Sequence, residues 1–202
     1  MSLIDIHIGV LPNRNTVGAA ISSICDPKIT YHIIDDAQSI LELRSRGYAM
    51  GTSEYVSFCD DDDTFLNIDQ IIKEAESGTP AFFTNSIYNH EGYPSLMLYP
   101  PDFKWSGVES YKQYFPHNPY IVKRDIMIEA VENAKKRILS SDIQHSNSGV
   151  DFAIGFEVQL LVGWKYLPID GYVWNRSNDS SSKRTGQQKN HAFIREFYRK
   201  LI

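Results

Sequence analysis

Apolar positions in the first 88 residues follow two spacings that alternate along the chain. Short runs rich in Ile, Val, Phe and Tyr have the pattern of strands, and the segments between them place apolar residues three or four apart, as helices do. The predicted strands are residues 4–10, 29–34, 55–59 and 81–88, and the predicted helices are 17–24, 39–45 (capped by Gly47) and 68–76. Because such alternation is typical of a parallel sheet with helices on its faces, we predict an α/β fold.

The pattern changes after residue 88. Residues 89–119 are rich in Pro, Gly and Tyr and contain seven aromatic residues, which either line a groove that stacks sugars or bases or form an irregular second core. Residues 177–190 have few apolar side chains, and we expect them to be mobile until a ligand orders them. The other predicted elements are strands at 120–123, 164–168 and 172–174 and helices at 125–139, 151–162 and 191–202.

The totals indicate a globular protein of one domain or two small lobes. The chain has 202 residues, 42% of them hydrophobic and 22% charged, which is ordinary for a soluble protein. The net charge of −5 argues against general binding to nucleic acid. Residues 176–202 nevertheless carry seven Lys or Arg against two acids, a net +5, so this tail either meets a phosphate-rich partner or is a solvated basic face.

Cysteine content and hydropathy suggest a compartment. Cys25 and Cys59 are too few for a disulfide framework. The sequence has no apolar run of the roughly 18 residues that a membrane helix needs, and its N-terminus lacks the pattern of a signal peptide. We therefore expect a cytoplasmic protein without a membrane span.

Four consecutive carboxylates, Asp60 to Asp63, directly follow the predicted strand at 55–59. In an open α/β sheet, ligands bind at the carboxyl ends of the strands. Four adjacent like charges repel one another unless a cation or solvent compensates them, and carboxylate oxygens suit Mg²⁺ or Mn²⁺. The run therefore indicates either a metal site or an acidic turn that water solvates.

Ordered motifs over about residues 4–182 carry a resemblance to a known family. The first strand leads into Pro12-Asn13-Arg14, the second ends in Asp35-Asp36, and Arg46-Gly47 leads through Glu54-Tyr55 to the acidic run. Val150-Asp151 then opens a helix, and Trp174-Asn175-Arg176 follows. The chain resembles family 2 glycosyltransferases, although Val150 stands where the family has Glu and Asn178 where it often has His.

The resemblance implies a GT-A fold, a Rossmann-like and mostly parallel sheet flanked by helices in a single compact domain. It implies a donor-binding half at 1–88, an acceptor-binding half at 89–176, and a basic loop with a closing helix at 177–202. Asp151 would be the catalytic base of an inverting transfer, and Asp60 and Asp62 would hold Mn²⁺ or Mg²⁺. The residues expected to bind the donor are Pro12, Asn13, Arg14, Asp35, Asp36, Arg46, Asp60, Asp61 and Arg176.

The implied reaction moves a hexose or pentose from a nucleoside diphosphate sugar, with UDP-sugars favoured, to an acceptor hydroxyl. The expected acceptor is a soluble glycan. Two alternatives stay open. The basic tail and the aromatic segment suit glycosylation of a modified base in DNA, and Val150 suits a protein that binds the donor without turnover. A sugar nucleotidyltransferase is disfavoured because residues 11–15 contain no glycine.

Overall fold

The computed structural model describes residues 2–10, 17–90, 93–97, 120–137 and 149–176, together with Ile194, Glu196 and Tyr198. The strands are β1 (Ile4–Gly9), β2 (Ile29–Ile34), β3 (Tyr55–Asp60), β4 (Thr64–Phe65), β5 (Ala81–His90), β6 (Tyr93–Met97), β7 (Tyr120–Lys123) and β8 (Lys165–Arg176). The helices are α1 (Val17–Ser23), α2 (Ile40–Ala49), α3 (Ile68–Glu76), α4 (Arg124–Arg137) and α5 (Val150–Leu161). The predicted α/β fold is confirmed.

The strands form one sheet in the order β2-β1-β3-β7-β5-β8-β4, with β6 beside β5. The pairs β1–β2, β1–β3 and β5–β8 are parallel, and the other pairs are antiparallel. Ile34, Gly9 and Asp60 stand level with one another in the first three strands. Their carboxyl ends therefore meet at one edge of the sheet, where an open α/β sheet binds its ligands.

Helices cover both faces of the sheet. Ile4, Ile6 and Ile8 of β1 are buried on one face with residues of α1 and α3, while Phe58 of β3 is buried on the other with residues of α2, α4 and α5. Burial of each of these apolar side chains stabilises the fold by about 1.5–3 kcal/mol. The alternation along β1 thus fixes which side of the sheet faces α1 and α3.

The second face of β1 is polar and yet buried. Asp5 is only 3% exposed; it accepts the backbone N–H of Ser53 at 2.9 Å and pairs with Arg124. Arg124 also donates to the carbonyls of Tyr48 and Met50 at 2.7 and 2.6 Å. These bonds satisfy groups that would be costly to bury unpaired, and they fix the end of α2 against the start of α4.

The predicted end of the second helix, at residue 45 with Gly47 as a cap, is wrong. α2 continues to Ala49, and Ser39 caps its start by accepting the N–H of Glu42 at 3.1 Å. A Cβ at position 47 would lie 2.3 Å from the ring of His7. Glycine is required there because α2 packs closely on β1, not because the helix ends.

The two strands predicted at 164–168 and 172–174 form the single strand β8, which has twelve residues. Pro168 falls beside the register shift between Phe83 and Asn85 of β5, where the regular ladder is interrupted and its missing N–H is tolerated. Ile194 and Tyr198, at 0% exposure, are buried among residues of α4 and α5. Among the helices that the structure describes, none is long and apolar enough to cross a bilayer.

Candidate active site

The acidic turn, residues 60–63, lies at the carboxyl edge of the sheet, and its side chains have two different environments. Asp61 and Asp63 are buried, at 2% and 0% exposure, whereas Asp60 and Asp62 are partly exposed. Asp61, predicted to contact the donor, therefore offers little surface to a ligand. The two carboxylates that a ligand can reach are those predicted to hold a metal.

Asp63 anchors the acidic turn to β8. One of its oxygens accepts the backbone N–H of Asn175 at 2.7 Å, and the other accepts the hydroxyl of Tyr172 at 2.9 Å. Burial, together with the charge of Asp60, raises the pKa of Asp63 to about 9, so that the carboxyl is protonated at neutral pH. Asp63 therefore has a structural role, which the sequence did not predict.

This protonated carboxyl gives the first testable expectation. The unfolded chain releases the proton near pH 4, while the folded chain keeps it up to about pH 9. Asp63 therefore contributes less to the free energy of unfolding as the pH rises between those values. Asp63→Asn, which cannot ionise but keeps an acceptor for Asn175, should have a Tm in EDTA that falls less than the wild-type Tm between about pH 5 and pH 8. Parallel Tm curves would show that Asp63 is ionised in the fold.

A buried arginine of α2 lies between two of the predicted site residues. Arg44 is 2% exposed; its Nε donates to Asp151 Oδ1 at 2.7 Å, and its Nη2 lies 3.4 Å from Asp151 Oδ2 and 3.5 Å from Asp60 Oδ1. Its guanidinium carbon is 3.3 Å from the centroid of the Phe58 ring, a cation–π contact. Arg44 thus holds the predicted base and a predicted metal ligand beside each other, although they are 91 positions apart in the sequence.

His7 supports Arg44 from β1. Its ring is 1% exposed, and its Nε2 is 3.4 Å from Nη1 of Arg44. Burial, reinforced by the charge of Arg44, holds the pKa of His7 well below its usual range. The imidazole is therefore neutral and can accept a hydrogen bond from the guanidinium.

The spacing of residues along α2 contains a signal for the burial of Arg44. Leu43, Arg44, Gly47 and Tyr48 form the buried face of α2, and Arg44 stands one helical turn before Tyr48. A charged residue in the apolar stripe of a helix must find a partner in the interior, because an unpaired buried charge is strongly disfavoured. The predicted contact at Arg46 lies instead on the exposed face.

Asp151 lies in the first turn of α5, which Gly149 precedes with a left-handed φ of 96°. Its side chain is 34% exposed, so it is accessible while both of its oxygens face Arg44. Val150, which replaces the glutamate expected from the resemblance, is 4% exposed and belongs to the hydrophobic core. A core residue therefore stands where the resemblance implies an acid, and the acid in the first turn of α5 is Asp151.

Negative charge exceeds positive charge at this edge of the sheet. The guanidinium of Arg44 faces Asp60 and Asp151, and the carboxylate of Asp62 acts on Asp60 from the same turn. Although 43% of the Asp60 side chain is accessible, desolvation raises its pKa, Asp151 and Asp62 raise it further, and Arg44 opposes the shift. The net charge of these groups when ionised is −2, which a divalent cation would balance.

The accessible carboxylates fit a cation shared with a ligand. Within the described ranges, no group of three or more His, Cys, Asp or Glu side chains is arranged to hold a metal. Mg²⁺ in nucleotide sites uses one or two carboxylates, water and the phosphates of the substrate, so Asp60 and Asp62 suffice for such a site.

The structure places the predicted donor contacts of β2 at the same edge. Asp36 pairs with Arg46 at 2.8 Å, and Arg46 also pairs with Glu42 at 3.2 Å. Asp35 and Asp36 are exposed beyond the end of β2, on the edge that carries Asp60. These polar groups are therefore available to a ligand that lies across the ends of β2, β1 and β3.

Other predictions fall on parts of the chain that the structure does not describe. Pro12, Asn13 and Arg14 lie outside the described residues, as do 177–190 and most of the aromatic segment at 89–119. Arg176 is the last residue of β8 and stands level with His90 of β5.

No family model matches the chain, and no curated protein matches it. Solved structures of TarS from S. aureus do match. One superposes with a TM-score of 0.61 at 12% identity, covering 87% of this chain and 37% of that chain. TarS 1–349 in complex with UDP-GlcNAc gives 0.63 at 11% identity, covering 95% and 65%, and TarS 1–349 gives 0.58 at 11%, covering 86% and 60%.

The likeness to TarS concerns the fold. The chain spans 37–65% of the length of these TarS chains, and 11–12% of the aligned residues are identical. TarS is a glycosyltransferase. The sheet and the helices that cover it therefore have the fold of the aligned part of TarS.

Proposed function

We propose that this chain is a glycosyltransferase that moves a sugar from a nucleoside diphosphate sugar to an acceptor hydroxyl. The observation that carries the proposal is the cluster in which Arg44 joins Asp151 to Asp60 at the carboxyl edge of the sheet. The cluster combines an accessible carboxylate that can take a proton with others that can hold a cation. The TarS fold supports it, and one TarS structure contains UDP-GlcNAc.

In this proposal Asp60 and Asp62 hold Mn²⁺ or Mg²⁺ together with the diphosphate of the donor. When bound, the cation would neutralise the charge that develops on the leaving diphosphate. Asp35, Asp36 and Arg46 contact the base or the ribose.

The remaining donor contacts belong to the same proposal. Asp61, which is buried, acts on the donor only through the geometry of the acidic turn, and Arg176 binds the diphosphate. Pro12, Asn13 and Arg14 complete the donor site from the loop after β1. UDP-sugars remain the favoured donors.

Asp151 acts as the general base. It takes the proton of the acceptor hydroxyl while the hydroxyl oxygen bonds to the anomeric carbon and the bond from that carbon to the diphosphate oxygen breaks. The electron pair of the broken bond leaves with the diphosphate, and the anomeric configuration inverts. The contacts with Arg44 orient the carboxylate, whose two oxygens have about four lone-pair sites in total, so positions remain for the acceptor.

One assay tests the proposed activity. We expect one member of a panel of nucleoside diphosphate sugars to release its nucleoside diphosphate in the presence of Mn²⁺ and a glycan mixture, and EDTA to stop the release. Binding of a donor without turnover would identify a donor-binding protein, the alternative that Val150 favours. A failure to bind any donor would refute both interpretations.

Asp62→Ala should weaken the Mn²⁺-dependent part of donor binding by at least about 10-fold, because it removes one of the two accessible carboxylates that compensate the cation. The fold should survive, since the backbone carbonyl of Asp62 and the buried Asp63 still bond to β8. Thermal shift with nucleoside diphosphate sugars, with and without Mn²⁺, measures the effect. Asp69→Ala, an exposed acid in the first turn of α3, is the matched control. An unchanged Mn²⁺ dependence in the Asp62 variant would exclude it as a ligand.

A further inference from the structure

We infer that Asn175, on strand β8, is a positioning residue that fixes the geometry of the acidic turn, which carries the proposed metal ligands. The inference rests on the proposed function, because it concerns the cation that Asp60 and Asp62 would hold. Asn175 precedes Arg176 and has no charge of its own. Its role follows from two hydrogen bonds of its side chain.

The first bond reaches the turn itself. Nδ2 of Asn175 donates to the backbone carbonyl of Asp62 at 2.7 Å. The carbonyl belongs to the same residue as one of the proposed ligands, so this bond restrains the peptide plane from which that carboxylate extends. The backbone N–H of Asn175 bonds separately to Asp63, so the turn is held at two successive residues.

The second bond holds the Asn175 side chain in place. Its Oδ1 accepts Nδ2 of Asn89 at 2.8 Å, and the two residues stand level in the parallel ladder of β5 and β8. The carbonyl of Asp62 can only accept, so Asn175 must present its NH₂ group to the turn and its oxygen to Asn89. The direction of both bonds is thereby fixed: Asn89 donates to Asn175, and Asn175 donates to Asp62.

The series of hydrogen bonds that links Asn89, Asn175 and Asp62 does not continue beyond Asn89 among the described residues. Oδ1 of Asn89 is buried but has no hydrogen-bond partner among the described residues. The amide of Asn89 is thus committed to Asn175 through its nitrogen alone. In this arrangement Asn89 orients Asn175, and Asn175 orients the acidic turn.

Residues that orient metal ligands without touching the metal typically change its affinity by about 10–100-fold when they are replaced. We expect Asn175→Leu, which keeps the size and the backbone bond but removes the amide, to weaken Mn²⁺ binding about 10-fold. Asn89→Leu removes only the outer bond and should weaken it less. Because Asn89→Leu leaves Asn175 in place, it tests the same chain of bonds if Asn175→Leu does not fold.

Asn85→Leu is a matched control. Asn85 also links β5 to β8, since it donates to Asp170 at 3.3 Å and accepts the hydroxyl of Tyr166 at 2.6 Å, and it precedes Asn89 by four positions in β5. Its replacement should lower the Tm without changing the affinity for Mn²⁺. A general loosening of the two strands would instead weaken binding in all three variants.

The measurement is a Mn²⁺ titration of the full chain with UDP, GDP, CDP or TDP in turn. Binding is monitored by the relaxation rate of water protons, which distinguishes Mn²⁺ on the slowly tumbling protein from the free Mn²⁺–nucleotide complex. Wild-type affinity in both the Asn175 and the Asn89 variants would overturn the inference, as would an equal loss in the Asn85 control. If the wild-type chain binds Mn²⁺ with none of these nucleotides, the proposed metal site fails and this inference fails with it.

Discussion

Asp151→Asn is expected to lower the rate of sugar transfer by about 10²–10⁴-fold, the usual contribution of a general base. The variant keeps the shape of the side chain and one acceptor oxygen for Arg44 but cannot take the proton of the acceptor. Donor affinity should change little, because the base does not contact the diphosphate. Single-turnover rates with saturating donor separate the two quantities.

Asp125→Asn serves as the matched control for this prediction. Asp125 is also an acid in the first turn of a helix, α4, but it is exposed and its carboxylate accepts the N–H of Ile126 at 2.9 Å. Transfer should be unaffected in this variant. A near-normal rate for Asp151→Asn, or a product that retains the anomeric configuration of the donor, would contradict the role of Asp151.

Arg44→Met should lower both the free energy of unfolding and the rate of sugar transfer. The loss of the guanidinium leaves Asp60 and Asp151 without their shared partner, which should lower the free energy of unfolding by about 2–3 kcal/mol. The cost is below that of a fully buried pair because 43% of Asp60 and 34% of Asp151 remain accessible. Transfer should fall by about 10²-fold or more because the base loses its orientation.

Arg44→Lys should fall between the wild type and Arg44→Met. A lysine keeps the charge but not the planar group that reaches both oxygens of Asp151 and stacks on Phe58. Arg46→Met, two residues along α2, is the control for stability. Its ion pairs are exposed, so the free energy of unfolding should change by less than about 1 kcal/mol.

A double-mutant cycle tests whether Arg44 acts through Asp151. If it does, Arg44→Met should cost little further activity in a chain that already carries Asp151→Asn, and the coupling should reach about 0.5–3 kcal/mol. Purely additive losses in transfer rate would show that Arg44 serves the reaction in some other way.

The fold was predictable where local pattern and tertiary environment agree. The apolar runs of β1, β3 and β5 are buried in the sheet, so their composition was sufficient to identify them. β4 has only two residues, and its existence depends on pairing with β8, a distant contact that local sequence does not encode. Pro168 divided β8 in the prediction, although the strand continues because an irregular register accommodates it.

The limits of the site prediction have a similar cause. Four identical aspartates follow one another, and the sequence alone does not indicate which of them face solvent. Asp63 is buried because Tyr172 and the N–H of Asn175 provide donors at that point. Arg44 was overlooked because an arginine in a helix is usually exposed, whereas here two carboxylates and an aromatic ring compensate its burial.

The contacts that assemble the site join distant parts of the chain, and this has a consequence for folding. The bond from Arg44 to Asp151 spans 107 residues, and the bond from Asn175 to Asp62 spans 113. Such contacts form late because the chain must first lose the entropy of closing a long loop. During synthesis, Asn175 must therefore emerge from the ribosome before the acidic turn acquires its final geometry. Recovery of activity on refolding should accordingly lag behind recovery of helical structure.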